Sequence, residues 1–140
     1  MEAVPLAGLT LAMGTPLRLD NTPVGTRVIV EFTKVEWSGE RLRATRKGAA
    51  AADWLTVGPE GTGCLDFRFL VETQDGALVF VHGLGRSNAM QFSDGGPNYF
   101  SMSFETGDAR YAWLNRIQAI AKGRLQTDGS TIKFLVYELR

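Results

Sequence analysis

The segment LDFRFLVETQDGALVFVHGLG, Leu65 to Gly85, constrains this chain more than any other. Two runs of aromatic and β-branched residues meet at Gln74-Asp75-Gly76, which suits a type I turn closed by a glycine bulge. Side chains alternate across a strand, so pairing Thr73 with Ala77 sets the register of the whole hairpin. Arg68 then lies opposite His82 and Leu70 opposite Phe80, with Asp66 next to Arg68 on the same face. The other face carries Phe67, Phe69, Val71, Val79 and Val81. Both faces are largely apolar, so one is expected to line a cavity and the other to pack against something, a second subunit included. Which face points inward is left open.

The same punctuation recurs along the chain. Sixteen glycines and several Asp-Gly pairs separate short aromatic or β-branched runs, the pattern of an all-β chain. Arg27 to Trp37 reads as a strand with Val28, Val30 and Phe32 on one face and Arg27, Ile29, Glu31 and Thr33 on the other. Ser38-Gly39 turns into a short strand at Leu42 to Thr45, and a loop over Lys47 to Ala52 delivers Asp53 and Trp54. Ser87 to Asn98 reads as a loop, either a lid or rim or plain surface. Tyr99 to Glu105 alternates with Phe100, Met102 and Phe104 on one side. A final hairpin turns at Thr127-Asp128-Gly129, pairing Ile117 to Leu125 with Thr131 to Leu139. Asp108 to Ala121 fits helix and strand spacing alike; a helical turn over Asp108 to Ala112, capped by Asp108, is expected to precede the strand. With no repeat or linker, residues 1–140 are expected to form one antiparallel β-barrel with at most one short helical turn.

The absence of other signatures narrows the chemistry. A chain of 140 residues can bury roughly two thirds of its unfolded surface without staples. Its 15 basic and 15 acidic residues are interspersed, so nucleic acid is not an expected partner. No stretch has the length of a membrane span, and MEAVPLAGLTLAMG carries an early acid and no basic leader region, so a cytoplasmic protein without a membrane partner is expected. One cysteine, Cys64, and one histidine, His82, make neither a disulfide nor a usual zinc set; no metal and no cofactor is implied. GLGRSN, Gly83 to Asn88, lacks the third glycine and helix of a dinucleotide loop.

Three quoted stretches carry a resemblance: FETGDARYAWLN at Phe104 to Asn115, ADW at Ala52 to Trp54, and LDFRFLVETQDGALVFV at Leu65 to Val81. Together they resemble the domain-of-unknown-function-3237 family of small bacterial and fungal proteins, from about Pro23 to the C-terminal VYELR. The resemblance implies a closed antiparallel barrel, lipocalin-like or allene-oxide-cyclase-like in outline, and implies no particular reaction. KVEWSGERL and the alanine run Ala49 to Ala52 stand where members tend to have glycine-rich turns.

What the residues leave is acid and base chemistry without a cofactor. The candidate catalytic set is Asp53, Asp66, Arg68 and His82. Asp66 beside Arg68 is expected to stay ionised, an unpaired Asp53 to drift toward neutrality, and His82 to be held neutral by the charge opposite. Arg68 would then hold an enolate or carboxylate. Glu31, Trp54, Phe80, Tyr99, Trp113 and Asn115 are candidate ligand contacts, suited to a small apolar or aromatic organic molecule. Each has an ordinary structural reading as well: a salt bridge for Asp66 and Arg68, core packing for the aromatics, a strand or turn hydrogen bond for Asn115. Three functions stay open: a cofactor-free isomerase, cyclase or lyase, a non-catalytic carrier, and a homo-oligomeric assembly module with a filled barrel.

Overall fold

The computed structural model describes all 140 residues, Met1–Arg140. Its ten strands form one antiparallel sheet: β1 (Ala3–Met13), β2 (Leu17–Thr22), β3 (Gly25–Ser38), β4 (Ala44–Arg46), β5 (Ala52–Val57), β6 (Thr62–Thr73), β7 (Leu78–Asn88), β8 (Asn98–Glu105), β9 (Ala119–Leu125) and β10 (Thr131–Leu139). β1 pairs with β10 on one side and β3 on the other, so the sheet closes on itself. β1 and β2 succeed one another along one side of β3, and β4 and β5 along its other side, leaving eight strand positions around the barrel. An interior of that size is filled by side chains or holds one small ligand.

The central hairpin has the register its turn dictates. The Thr73 N–H donates to the Ala77 carbonyl, Gly76 takes a φ of 90°, and Arg68 faces His82 as Leu70 faces Phe80. Phe67, Phe69, Val71, Val79 and Val81 are buried inside the barrel, which settles the face left open by the alternation. The apolar hairpin face is therefore the lumen wall and is not available to a second subunit. The rings of Phe67 and Phe69 join those of Phe32, Phe100 and Phe134 in one aromatic cluster across the middle of the barrel, with centroids 4.5 to 6.3 Å apart.

The apolar N-terminus is itself a strand: β1 closes the barrel, its register slipping between Pro5 and Ala7. Within β3 the inward parity passes from Val30 and Phe32 to Val35 and Trp37, because an extra residue bulges where Phe32 faces Met13 and Lys34 faces Ala12. The helical segment is a 3-10 helix over Ala109–Arg116, longer than one turn, and the following strand begins at Ala119, not Ile117.

That helix closes one end of the barrel. The Asp108 carboxylate accepts the Arg110 N–H at 2.9 Å and starts the helix, which carries Leu114, fully buried, into the core. Leu114→Ala is expected to cost about 2–5 kcal/mol in urea unfolding, since the space it leaves is enclosed. A loss under about 1 kcal/mol would show that the helix is not the plug. The opposite end is open. There β7 runs on to Asn88, so the expected Ser87 to Asn98 loop shrinks to a rim segment with a short 3-10 turn at Phe92–Asp94.

Candidate functional site

At the open end the lumen holds a cavity of about 350 Å³ whose walls are mostly apolar. The aromatic rings of Phe32, Phe67, Phe100 and Phe134 face it, and Ala89, Phe92 and Ser93 of the rim segment border its mouth. Two buried polar side chains also face it: Asp53 and Asn98.

Asp53 owes its position to strand parity. β5 runs between β3 and β6 with Asp53 opposite Val30 and Phe67, so its carboxyl points inward while the next residue, Trp54, lies on the outer side. One carboxyl oxygen, Oδ1, accepts the backbone N–H of Asp66 at 2.9 Å, and no lysine or arginine pairs with the group. Burial pushes its pKa up to about 6, the Asp66 N–H works against that rise, and the nearby Asp66 carboxylate adds to it. The drift toward neutrality expected of an unpaired Asp53 is what its surroundings produce. Arg18, at the mouth, is largely exposed and its guanidinium Nε lies 2.9 Å from Asp20.

The other three candidate catalytic residues lie elsewhere. Asp66, Arg68 and His82 have the opposite parity to Phe67 and Val81 and stand on the outer wall, not in the lumen. There His82 Nε2 is 2.8 Å from Asp66 Oδ1, Arg68 Nε is 3.7 Å from the same oxygen, and the Arg68 guanidinium lies 4.7 Å above the Trp54 ring. This half-exposed ladder is connected to the lumen at one point, where the Asp66 backbone binds Asp53.

The expected ligand contacts are scattered likewise. Glu31 and Tyr99 are exposed on the outside. Phe80 and Asn115 border a shallow surface hollow beside Leu70 and Thr106, and the Asn115 side chain both accepts the Thr106 N–H at 2.8 Å and donates to its carbonyl at 2.9 Å. That is the loop-closing hydrogen bond of the structural reading. Trp113 is half-buried at the closed end under the Arg41 guanidinium, 4.3 Å from its ring. Asn98, the second polar group of the cavity, is the first residue of β8 and not the end of a loop; its pairing with both Ser87 and Gly123 is what buries it. No three His, Cys, Asp or Glu side chains converge as metal ligands would, and no helix is long and apolar enough to cross a membrane.

With the site in place, comparisons with known proteins extend the picture. A family model, the protein of unknown function DUF3237, matches residues 1–139, reaching further toward the N-terminus than the motifs from Pro23 onward indicate. No protein of curated function matches in sequence. Among solved structures the chain is similar to a β-barrel-like protein from Acinetobacter baumannii AYE, with 25% identity, a TM-score of 0.86, and 99% of this chain and 96% of that one covered. A conserved protein of unknown function from Rhodopseudomonas palustris gives 21% identity and a TM-score of 0.87 over 98% and 96%. A protein from Penicillium herquei described as an enzyme gives 20% identity and a TM-score of 0.75 over 99% and 94%.

Proposed function

The chain belongs to the DUF3237 family, and from that premise we propose that it takes a small, largely apolar organic molecule into the open end of its barrel and exchanges a proton with it through Asp53. The reaction class is cofactor-free isomerisation, cyclisation or elimination. One observation carries the reading: an unpaired carboxyl whose pKa is pushed to about 6 inside an apolar cavity. A carboxylate so placed is a stronger base than one in water, and its titration near neutral pH lets it hold or release a proton under working conditions. The cavity also falls within the roughly 300–1,000 Å³ usual for small-molecule sites. The Penicillium herquei protein, described as an enzyme, supports catalysis on this fold.

The test uses 5-nitrobenzisoxazole, whose ring opening needs only a base: the C3–H proton passes to Asp53, the N–O bond breaks, and a coloured cyanophenolate forms. The protein is expected to accelerate this over buffer with a rate that rises through about pH 6 as Asp53 ionises. Asp53→Asn is expected to remove at least about nine tenths of it, the scale of losing a general base. Asp66→Asn and His82→Ala are expected to leave the rate within about twofold and the stability within about 1 kcal/mol, as exposed ion pairs do. Equal rates in wild type and Asp53→Asn would leave a carrier, not a proton-transfer catalyst.

A further inference from the structure

The second polar group of the cavity has no role in that proton transfer and no partner in the protein. Asn98 is 5% exposed, lines the same cavity as Asp53, and its side-chain Oδ1 accepts no hydrogen bond. A buried acceptor left unpaired costs about 1–3 kcal/mol. Its two strand neighbours do not relieve it: the Ser87 hydroxyl makes no bond to it, and Gly123 offers only backbone. The amide lines the cavity with its Oδ1 enclosed, and a half-turn about the Cβ–Cγ bond presents that oxygen to a donor arriving there.

We propose that Asn98 is the specificity-determining residue of the lumen, accepting a hydrogen bond from a hydroxyl group on a neutral, ring-bearing ligand. The inference rests on the reading of the lumen as a small-molecule site and names the class of molecule that enters it. Neutrality follows from the charges present. An anion would meet the Asp53 carboxyl, and the one cation at the mouth, Arg18, is held by Asp20. An ammonium would shed its hydration for an apolar cavity that offers it a single carboxyl. Rings suit the walls, because the Phe32, Phe67, Phe100 and Phe134 side chains line the space and already pack on one another at steep angles, as aromatic groups prefer. A hydroxyl suits Asn98, because an amide oxygen takes only a donor, and a site built around such a group rejects analogues that lack one.

The experiment measures binding of four probes of one shape to wild type and Asn98→Leu: 2-naphthol, 2-methylnaphthalene, 2-naphthoate and 2-naphthylmethylammonium. Wild type is expected to prefer 2-naphthol over 2-methylnaphthalene by about ten- to a hundredfold, the range of one otherwise unpaired buried acceptor, and to bind both ions more weakly. In Asn98→Leu the preference is expected to fall to about twofold or less, with 2-methylnaphthalene bound as tightly as before or more so. The same contrast is readable in the wild-type protein alone: 2-naphthol, and not 2-methylnaphthalene, should shift the Asn98 side-chain amide resonance. A preference that survives in Asn98→Leu, or an amide resonance indifferent to the hydroxyl, overturns the role of Asn98 while the lumen reading stands. Tighter binding of either ion overturns the neutral class. If neither neutral probe enters, both this inference and the lumen reading fall.

Discussion

Asp53→Asn is expected to make the protein more stable at about pH 8, by about 3 kcal/mol, while removing proton transfer. An ordinary aspartate titrates at 3.8 and this one at about 6, a difference worth about 3 kcal/mol between the two protonation states. Because the folded-state pKa is raised, the folded protein binds the proton more tightly than the unfolded chain. The stability linked to that proton is therefore fully present below about pH 3.8 and is lost as pH rises through about 6. Asparagine keeps an oxygen for the Asp66 N–H and carries no charge to desolvate. The advantage of the variant should open between about pH 4 and 6, stay level above, and close below. Asp75, Asp108, Asp128 and Glu138 have lowered pKa values, held down chiefly by side-chain hydrogen bonds, and favour the fold in the opposite sense: their contribution is present above the unfolded-state values and lost on acidification. They are common to both proteins and drop out of the difference. Urea unfolding of the pair at about pH 8 and about pH 3.5 reads it directly; equal stability at both would mean that Asp53 is not buried in an apolar site.

Gly85→Ala is expected to be the most damaging single change in the barrel wall, costing more than about 3 kcal/mol or preventing folding. Its added Cβ would stand 2.3 Å from the Tyr99 carbonyl oxygen, part of the backbone of the adjacent strand, so β7 and β8 could not keep their pairing. Gly83→Ala meets a different obstacle, the far end of the Phe67 ring, also at 2.3 Å. That ring borders the cavity and has somewhere to go. The cost there is expected to be about 1–3 kcal/mol, the range of an overpacked core, with the cavity narrowed and 2-naphthol binding weakened. Gly107→Ala, with nothing within 4 Å, is the control and should stay within about 0.5 kcal/mol. Urea unfolding of the three separates backbone collision from side-chain displacement; a Gly85 variant as stable as the Gly107 one would contradict the pairing described.

These glycines also bear on which face of the hairpin turns inward. The hairpin register was legible because one turn and strict alternation determine it. The inward face was not, because Leu70, Phe80 and Leu84 make the outer face nearly as apolar as the inner one. Gly83 pairs directly with Phe67 and shares its face, and a glycine inside a strand marks a close approach. That signal would have chosen the lumen side and placed Asp66, Arg68 and His82 outside. Asp53 was legible as an acid without a partner nearby in sequence. Asn98 was not, because its burial comes from strands on either side, one of them some twenty-five residues further along the chain at Gly123. β1 escaped because the slip between Pro5 and Ala7 breaks the alternation that reveals a strand.

The most direct measurement is a titration of the Asp53 carboxyl carbon by nuclear magnetic resonance, assigned by its loss in Asp53→Asn, with and without 2-naphthol. The expected result is a midpoint near 6 in the free protein, moving when the ligand fills the cavity and displaces water from the carboxyl. A midpoint near the ordinary 3.8, unmoved by ligand, would mean that the carboxyl does not face an apolar binding site.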